Sequence, residues 1–223
     1  IRGHASDYDR WEQDGCPGWG WQDVLPYFKK SERNLLGQDP ALHGTLGELV
    51  VDKPRDPNPL SHLFIKAAEH LGLRRNDDFN GREFEGVGIY NVTQKDAKRL
   101  SSYRAFVAPL QRPNLTVLTD RQVGRLLLEG ERVTGLELRS GERLLARREG
   151  ILSAGSLGSP QILLASGIGP GEELKAAGIA VKHDLPGVGK NLQDHLDGLV
   201  TVRSPSPLSL GFSLGSLAQI LLS

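Results

Sequence analysis

Apolar positions along this chain recur at helical spacing in some stretches and alternate in others. Residues 60–71 carry Leu63, Phe64, Ala67, Ala68 and Leu71 in a helical stripe, with Gly72 just past its end, and predict a helix. Asp23 leads into Val24, Leu25, Tyr27 and Phe28, which predicts another helix with Pro26 in its first turn and Lys29, Lys30 and Arg33 in its last. The charged and aromatic residues before it read as a loop in which Trp11, Trp19 and Trp21 anchor packing. Ser101 can cap a third helix that runs to about Leu110 and stops at Pro113. Alternation predicts strands over 115–119, 122–129, 133–139 and 143–147, with Gly130-Glu131 and Ser140-Gly141 as turns. Two further runs, 47–51 and 87–93, are strand-like, and 76–86 is polar and turn-rich.

The stretch from Ile151 onward combines both rhythms. Residues 150–154 read as a short buried strand ending in small residues, and 156–166 as an apolar helix closed by Gly167. Ser159 and Pro160 are expected to start that helix as cap and first-turn proline. Residues 172–177 predict another short helix, and 179–183 another strand. Small residues where a strand meets a helix let backbone approach a ligand, and the helix turns its free N–H groups toward it. Ala154, Gly155 and Ser156 are therefore candidate ligand-binding positions, with tight helix–strand packing as the competing reading.

Generic motifs are absent. Gly167-Ile168-Gly169 and Gly187-Val188-Gly189 lack the third glycine of GxGxxG, and Gly189-Lys190 is followed by Asn191 rather than by the Ser or Thr of a phosphate loop. Leu164 breaks GxSxG around Ser166. His4, His43, His62, His70, His183 and His195 show no metal-ligand spacing. A zinc enzyme, a P-loop enzyme and a serine hydrolase are thereby disfavoured.

Composition narrows the picture little further. With 223 residues, 38% hydrophobic and 24% charged, the chain fits one large or two small globular domains. A formal net charge of +0 gives no footprint for nucleic acid. One cysteine, Cys16, excludes an internal disulfide. The apolar run 208–222 is shorter than the ~20 residues that span a bilayer, so no integral membrane segment is expected, and an amphipathic helix packed on the protein is. The chain contains no methionine and stops inside that run, so truncation at both ends is expected.

The run from Gly155 through Ser159-Pro160 to Ser166-Gly167-Ile168-Gly169-Pro170 resembles the second sequence signature of the FAD-dependent glucose–methanol–choline (GMC) oxidoreductases. Other stretches agree in the family's order. They are Arg2-Gly3-His4-Ala5 through Asp7-Tyr8-Asp9-Arg10-Trp11, Pro17-Gly18-Trp19-Gly20-Trp21, Leu25-Pro26-Tyr27-Phe28, Asn76-Asp77-Asp78-Phe79-Asn80-Gly81, Glu85-Gly86-Val87-Gly88, Arg112-Pro113-Asn114-Leu115-Thr116-Val117 and Leu185 through His195. The likeness covers nearly the whole chain and is greatest to choline-dehydrogenase-like members.

The resemblance implies a mixed α+β and α/β fold, a GMC-type fragment in which a Rossmann-like FAD-binding domain interleaves with a β-rich substrate domain. Residues 1–34 and 117–195 would belong to the FAD half, 35–116 mostly to the substrate half, and 196–223 to the start of a further substrate segment. It implies FAD as cofactor and an alcohol, choline or another primary alcohol, as small-molecule substrate. In such enzymes a histidine base takes the hydroxyl proton and flavin N5 takes the hydride. Residues 2–11 resemble the segment just after the family's flavin-contacting loop. Val123 matches the valine whose backbone meets adenine. Ala154, Gly155 and Ser156 would face the pyrophosphate or ribityl chain, and Asn191, Asp194 and His195 are further cofactor candidates, with capping and loop bracing as their other possible work. His195 does not match the family's catalytic histidine, so no catalytic residue is expected here. The chain alone is expected to bind FAD weakly or not at all. A hydroxynitrile-lyase-like member and an inactive interaction module are the alternative readings.

Overall fold

The computed structural model describes residues 1–196 and 198–201, so the expected helix at 208–222 lies outside the described residues. They form two compact units, residues 1–112 and 113–201.

The first unit opens with helix α1 (Ala5–Gln13), where a loop was expected. No residue of α1 is buried, so no apolar stripe announces it; its start is local polar chemistry. The His4 ring accepts from Ser6 N–H at 3.2 Å, and Asp7 accepts from His4 N–H at 2.8 Å. Helix α2 (Trp21–Ser31) begins earlier than its sequence suggests, which puts Pro26 mid-helix rather than in the first turn. Its start is fixed from α1, because Asp9 accepts from Trp21 N–H at 2.9 Å. Tyr8 packs edge-on against Trp11 and Phe28, with ring centroids 5.3 and 5.7 Å apart. These rings join α1 to α2.

Arg33 lies in strand β1 (Glu32–Asn34), not in a helical turn, and β1 pairs in parallel with β2 (Leu49–Val51). Helix α3 (Pro59–His70) matches its sequence signals closely. Asn58 accepts from Leu60 N–H at 2.8 Å, Pro59 opens the helix, and Gly72 follows at φ 88°. Ile65 and Ala68 of α3 form the core with Val87, and Ile89 packs on them. The strand expected at 87–93 does not form. Val87 pairs with Arg75 and Val92 with Asp52 as isolated bridges only. The neighbouring pair β3 (Gln94–Lys95) and β4 (Lys98–Arg99) is antiparallel. The expected 101–110 helix is a π-helical turn, Tyr103–Val107, with Ser101 accepting from Arg104 N–H at 3.3 Å.

The second unit is built on an antiparallel meander of β5 (Val123–Glu129), β6 (Arg132–Leu138) and β7 (Arg143–Leu145). Gly130 at φ 61° and Gly141 at φ 88° make its turns, as their positions in the sequence require. Residues 115–119 are not a strand. Nor are 150–154: Ile151 is 84% exposed, and no described strand lies beside it to complete a ladder. Helix α4 (Gly155–Ala165) follows and packs on β5. The buried Ser166 at its end joins the two, donating to Ile162 C=O at 2.5 Å and accepting from Leu126 N–H at 2.8 Å. Strand β8 (Ile168–Gly169), helix α5 (Gly171–Ala176) and strand β9 (His183–Asp184) complete the unit, with β8 and β9 parallel. Among the described residues, no helix is long and apolar enough to cross a membrane.

Candidate functional site

Helix α4 begins one residue before its expected start, at Gly155, whose φ of 82° is open to glycine and costly for other residues. Ser159 and Pro160 consequently lie inside the helix rather than at its head. Ser159 still serves the helix start, because its hydroxyl accepts from Ala154 N–H at 2.9 Å. No side chain caps the turn that follows. The N–H groups there are the orphan donors of a helix N-terminus, carrying its partial positive charge. A Cβ built on Gly155 meets nothing within 4 Å, so the approach to this backbone is open.

Beside this turn lies a cleft of about 670 Å³. Ser156, Leu157, Pro160 and Leu164 line it from α4, and Gly189 and Asn191 from the loop after β9. Asn191 holds a left-handed backbone at φ 53°. Lys190, also on the rim, is paired with Glu173 at 2.5 Å. The wall is mainly apolar with a few polar groups and one uncapped helix end, which suits an organic ligand with an anionic part.

Of the seven cofactor candidates, the structure brings Ser156 and Asn191 to this cleft. Ala154 and Gly155 form the helix head next to it. Val123 is the first residue of β5 and pairs with Leu138. Asp194 and His195 are exposed and do not line the cleft; Asp194 accepts from His195 N–H at 2.8 Å, a local brace. Among the described residues, no group of His, Cys, Asp and Glu is arranged to hold a metal ion.

A second polar centre, in the first unit, has no signature in the sequence. His43, Glu32 and Asn34 are buried, at 3%, 5% and 5% exposure. The two ring nitrogens of His43 face Glu32 at 3.2 Å and Asp78 at 3.0 Å. Glu32 also pairs with Arg2 at 2.5 Å. Burial opposes charging of His43, but hydrogen bonding to Glu32 and the charges of Asp78 and Glu32 outweigh it and raise its pKa. Burial likewise opposes ionisation of Glu32. The His43 and Gly44 hydrogen bonds and the Arg2 charge prevail and lower its pKa. The residues are scattered along the chain, so only folding reveals the cluster.

The fold is that of an FAD-dependent oxidoreductase. It superimposes on one from Chaetomium thermophilum with a TM-score of 0.80 at 33% identity, covering 87% of this chain and 37% of that one. Within that class the chain belongs to the GMC oxidoreductase family, whose profile matches residues 1–197. It is 42% identical to an oxygen-dependent choline dehydrogenase of Brucella ovis over 214 residues, 94% of this chain and 39% of the relative. It is 41% identical to the crystal structure of a pyridoxine 4-oxidase from Mesorbium loti, with a TM-score of 0.78, covering 87% of this chain and 39% of that one. The chain thus spans about two fifths of the length of the curated relatives it matches, 39% for the Brucella enzyme. The family's cofactor is FAD.

Proposed function

We propose that the protein to which this chain belongs is an FAD-dependent oxidoreductase acting on the CH–OH group of an alcohol, choline or another primary alcohol. The observation that carries this reading is the 42% identity to a choline dehydrogenase across 94% of the chain. The uncapped, open turn at the head of α4 fits the group: it offers backbone donors to a phosphate or to ribityl oxygens without a side chain in the way. Ser156 and Asn191 hold the adjoining cleft, and Val123 offers its strand backbone to adenine. In this reading residues 117–195 belong to the FAD half and 35–116 mostly to the substrate half. When bound, FAD supplies the acceptor for the electron pair leaving the alcohol carbon. The chain's own part is to bind and orient the cofactor, and none of the candidates chosen from its sequence is taken as the catalytic base.

Ser156→Asp in the full-length protein tests this. A carboxylate in the first turn of a helix stabilises it by about 0.3–1 kcal/mol. The same carboxylate repels a phosphate. The expected result is an unchanged or slightly raised melting temperature of the apoprotein together with a loss of bound FAD, read from the flavin absorbance-to-protein ratio. Retention of the full flavin complement by the variant would remove α4 from the cofactor site. A wild-type protein with no flavin and no alcohol turnover would end the functional reading.

A further inference from the structure

Four polar groups of Arg2 are engaged. Its N–H donates to Asn80 Oδ1 at 2.8 Å, and its carbonyl accepts from the Tyr8 hydroxyl. Nη1 donates to Leu42 C=O at 2.5 Å, and Nη2 pairs with Glu32 Oε2 at 2.5 Å. The guanidinium lies 5.5 Å from the centre of the Phe28 ring. Two of these attachments lead back to His43. One runs through Glu32, which faces His43 Nδ1 at 3.2 Å. The other runs through Asp78, which faces His43 Nε2 at 3.0 Å and accepts from Asn80 N–H at 3.0 Å, orienting the partner of the Arg2 N–H.

Proton inventory decides which form of His43 this arrangement suits. A neutral imidazole has one N–H, whereas carboxylates stand at both of its nitrogens. Arg2, Glu32 and Asp78 together carry one net negative charge, which an imidazolium cancels. The side chains of His43 and Glu32 are 2% and 6% exposed, so an unbalanced charge there is costly. Asn34 Nδ2 also lies 3.2 Å from His43 Nδ1, but it has Gln38 Oε1 at 2.7 Å as an acceptor and does not require the ring's lone pair. The next charges outward are Asp39 with Arg82 at 3.4 Å, and Lys29, whose ammonium donates to Pro40 C=O at 2.7 Å.

We propose that His43, as the imidazolium, is a positioning residue for the first residues of this chain: it locks Glu32 and Asp78, and through them both attachments of Arg2. Loss of one ring proton frees one carboxylate and loosens residues 1–4. The link to function rests on the FAD reading, in which this segment directly follows a flavin-contacting loop. Loosening the segment then loosens the cofactor.

The test is hydrogen–deuterium exchange on the full-length wild-type protein, H43Q and E32Q, with the flavin-to-protein ratio measured on each sample. Losing a partner from a charge-assisted network is expected to speed exchange in the peptide covering residues 2–4 by about tenfold in H43Q at about pH 6. The α3 core around Ile65 keeps its protection. As the pH rises through the raised folded pKa of His43 the wild-type ring also becomes neutral, and the two proteins converge. E32Q, which keeps His43 but removes the Arg2 pair, loosens the same peptide below and above that pKa. Equal protection in wild type and H43Q at the lower pH overturns the proposal. So does loosening of α3 to the same degree, or a gap between the two proteins that does not change with pH. A flavin-free wild type with the exchange contrast intact refutes the FAD reading and leaves the clamp standing.

Discussion

Among the described glycines, Gly44 is the one at which an added Cβ would fall nearest a backbone atom, and Gly44→Ala is a sharp test of the packing in the first unit. A Cβ built there falls 1.8 Å from the carbonyl oxygen of Lys29 and 2.6 Å from its carbon. Both are backbone atoms at the end of α2, so no flexible side chain can yield. Moving from 1.8 Å to the 3.0 Å below which such contacts are essentially never seen means a separation of about 1.2 Å. Beside this approach two hydrogen bonds hold Gly44 to β1: Asn34 N–H to Gly44 C=O at 2.8 Å and Gly44 N–H to Glu32 Oε2 at 2.9 Å. Overpacking costs about 1–3 kcal/mol, and impairing one neutral and one charge-assisted bond adds about as much again, so a total near 4 kcal/mol is expected. At about 2–4 °C per kcal/mol for a domain of this size, the melting temperature should fall by roughly 8–16 °C. The assay is thermal unfolding of the full-length protein followed by near-UV circular dichroism, with FAD held at one concentration so that ligand linkage is constant. Gly187→Ala is the control, because a Cβ there meets nothing within 4 Å. A variant that melts within about 2 °C of wild type, alongside a silent control, would refute the close approach of Gly44 to α2.

Ser166→Ala removes the hydroxyl between α4 and β5 and leaves Leu126 N–H without its acceptor, a loss of about 1–3 kcal/mol readable as a shift in the denaturant midpoint at constant slope; an unchanged midpoint would deny the bond any role. The Glu32 carboxylate has a lowered folded pKa, so its contribution is complete above the ordinary value of 4.5 and lost as pH falls through the folded value. The melting-temperature gap between wild type and E32Q should therefore be widest above that range and close on acidification; a gap that widens on acidification would contradict the sign. The His43 contribution runs the other way: its folded pKa is raised, so it is complete below 6.5 and lost as pH rises through the folded value.

What could be read in advance depended on how local its cause was. Helix α3 has its apolar stripe and its closing glycine within one short stretch, and the structure reproduces them, adding Asn58 as the cap and Pro59 as the first residue. The β5–β6–β7 meander is equally local, with a glycine at each turn. The start of α2 was missed because the acceptor for Trp21 N–H comes from Asp9 in the preceding helix. Residues 150–154 have the composition of a buried strand, but a strand is a relation between segments, and none of the described strands pairs with it. In the candidate site, the small residues at the head of α4 were legible as a backbone approach, and the meeting of Ser156 with Asn191 in one cleft was not. The Arg2–Glu32–His43–Asp78 cluster left no trace in spacing, since each residue comes from a different segment and its meaning is the charge balance they reach together.

At 42% and 41% identity this chain is about equally similar to an enzyme named for choline and to one named for pyridoxine. Equal likeness to proteins with different named substrates means that the shared residues encode what the two have in common. On the proposed function, that is the scaffold and the cofactor contacts. The two polar features singled out here fit that division. The open head of α4 offers backbone donors, and the His43 cluster ties together Arg2, Glu32 and Asp78. On the proposed function, substitutions at either place should lower flavin loading while leaving the ranking of alcohol substrates as it was.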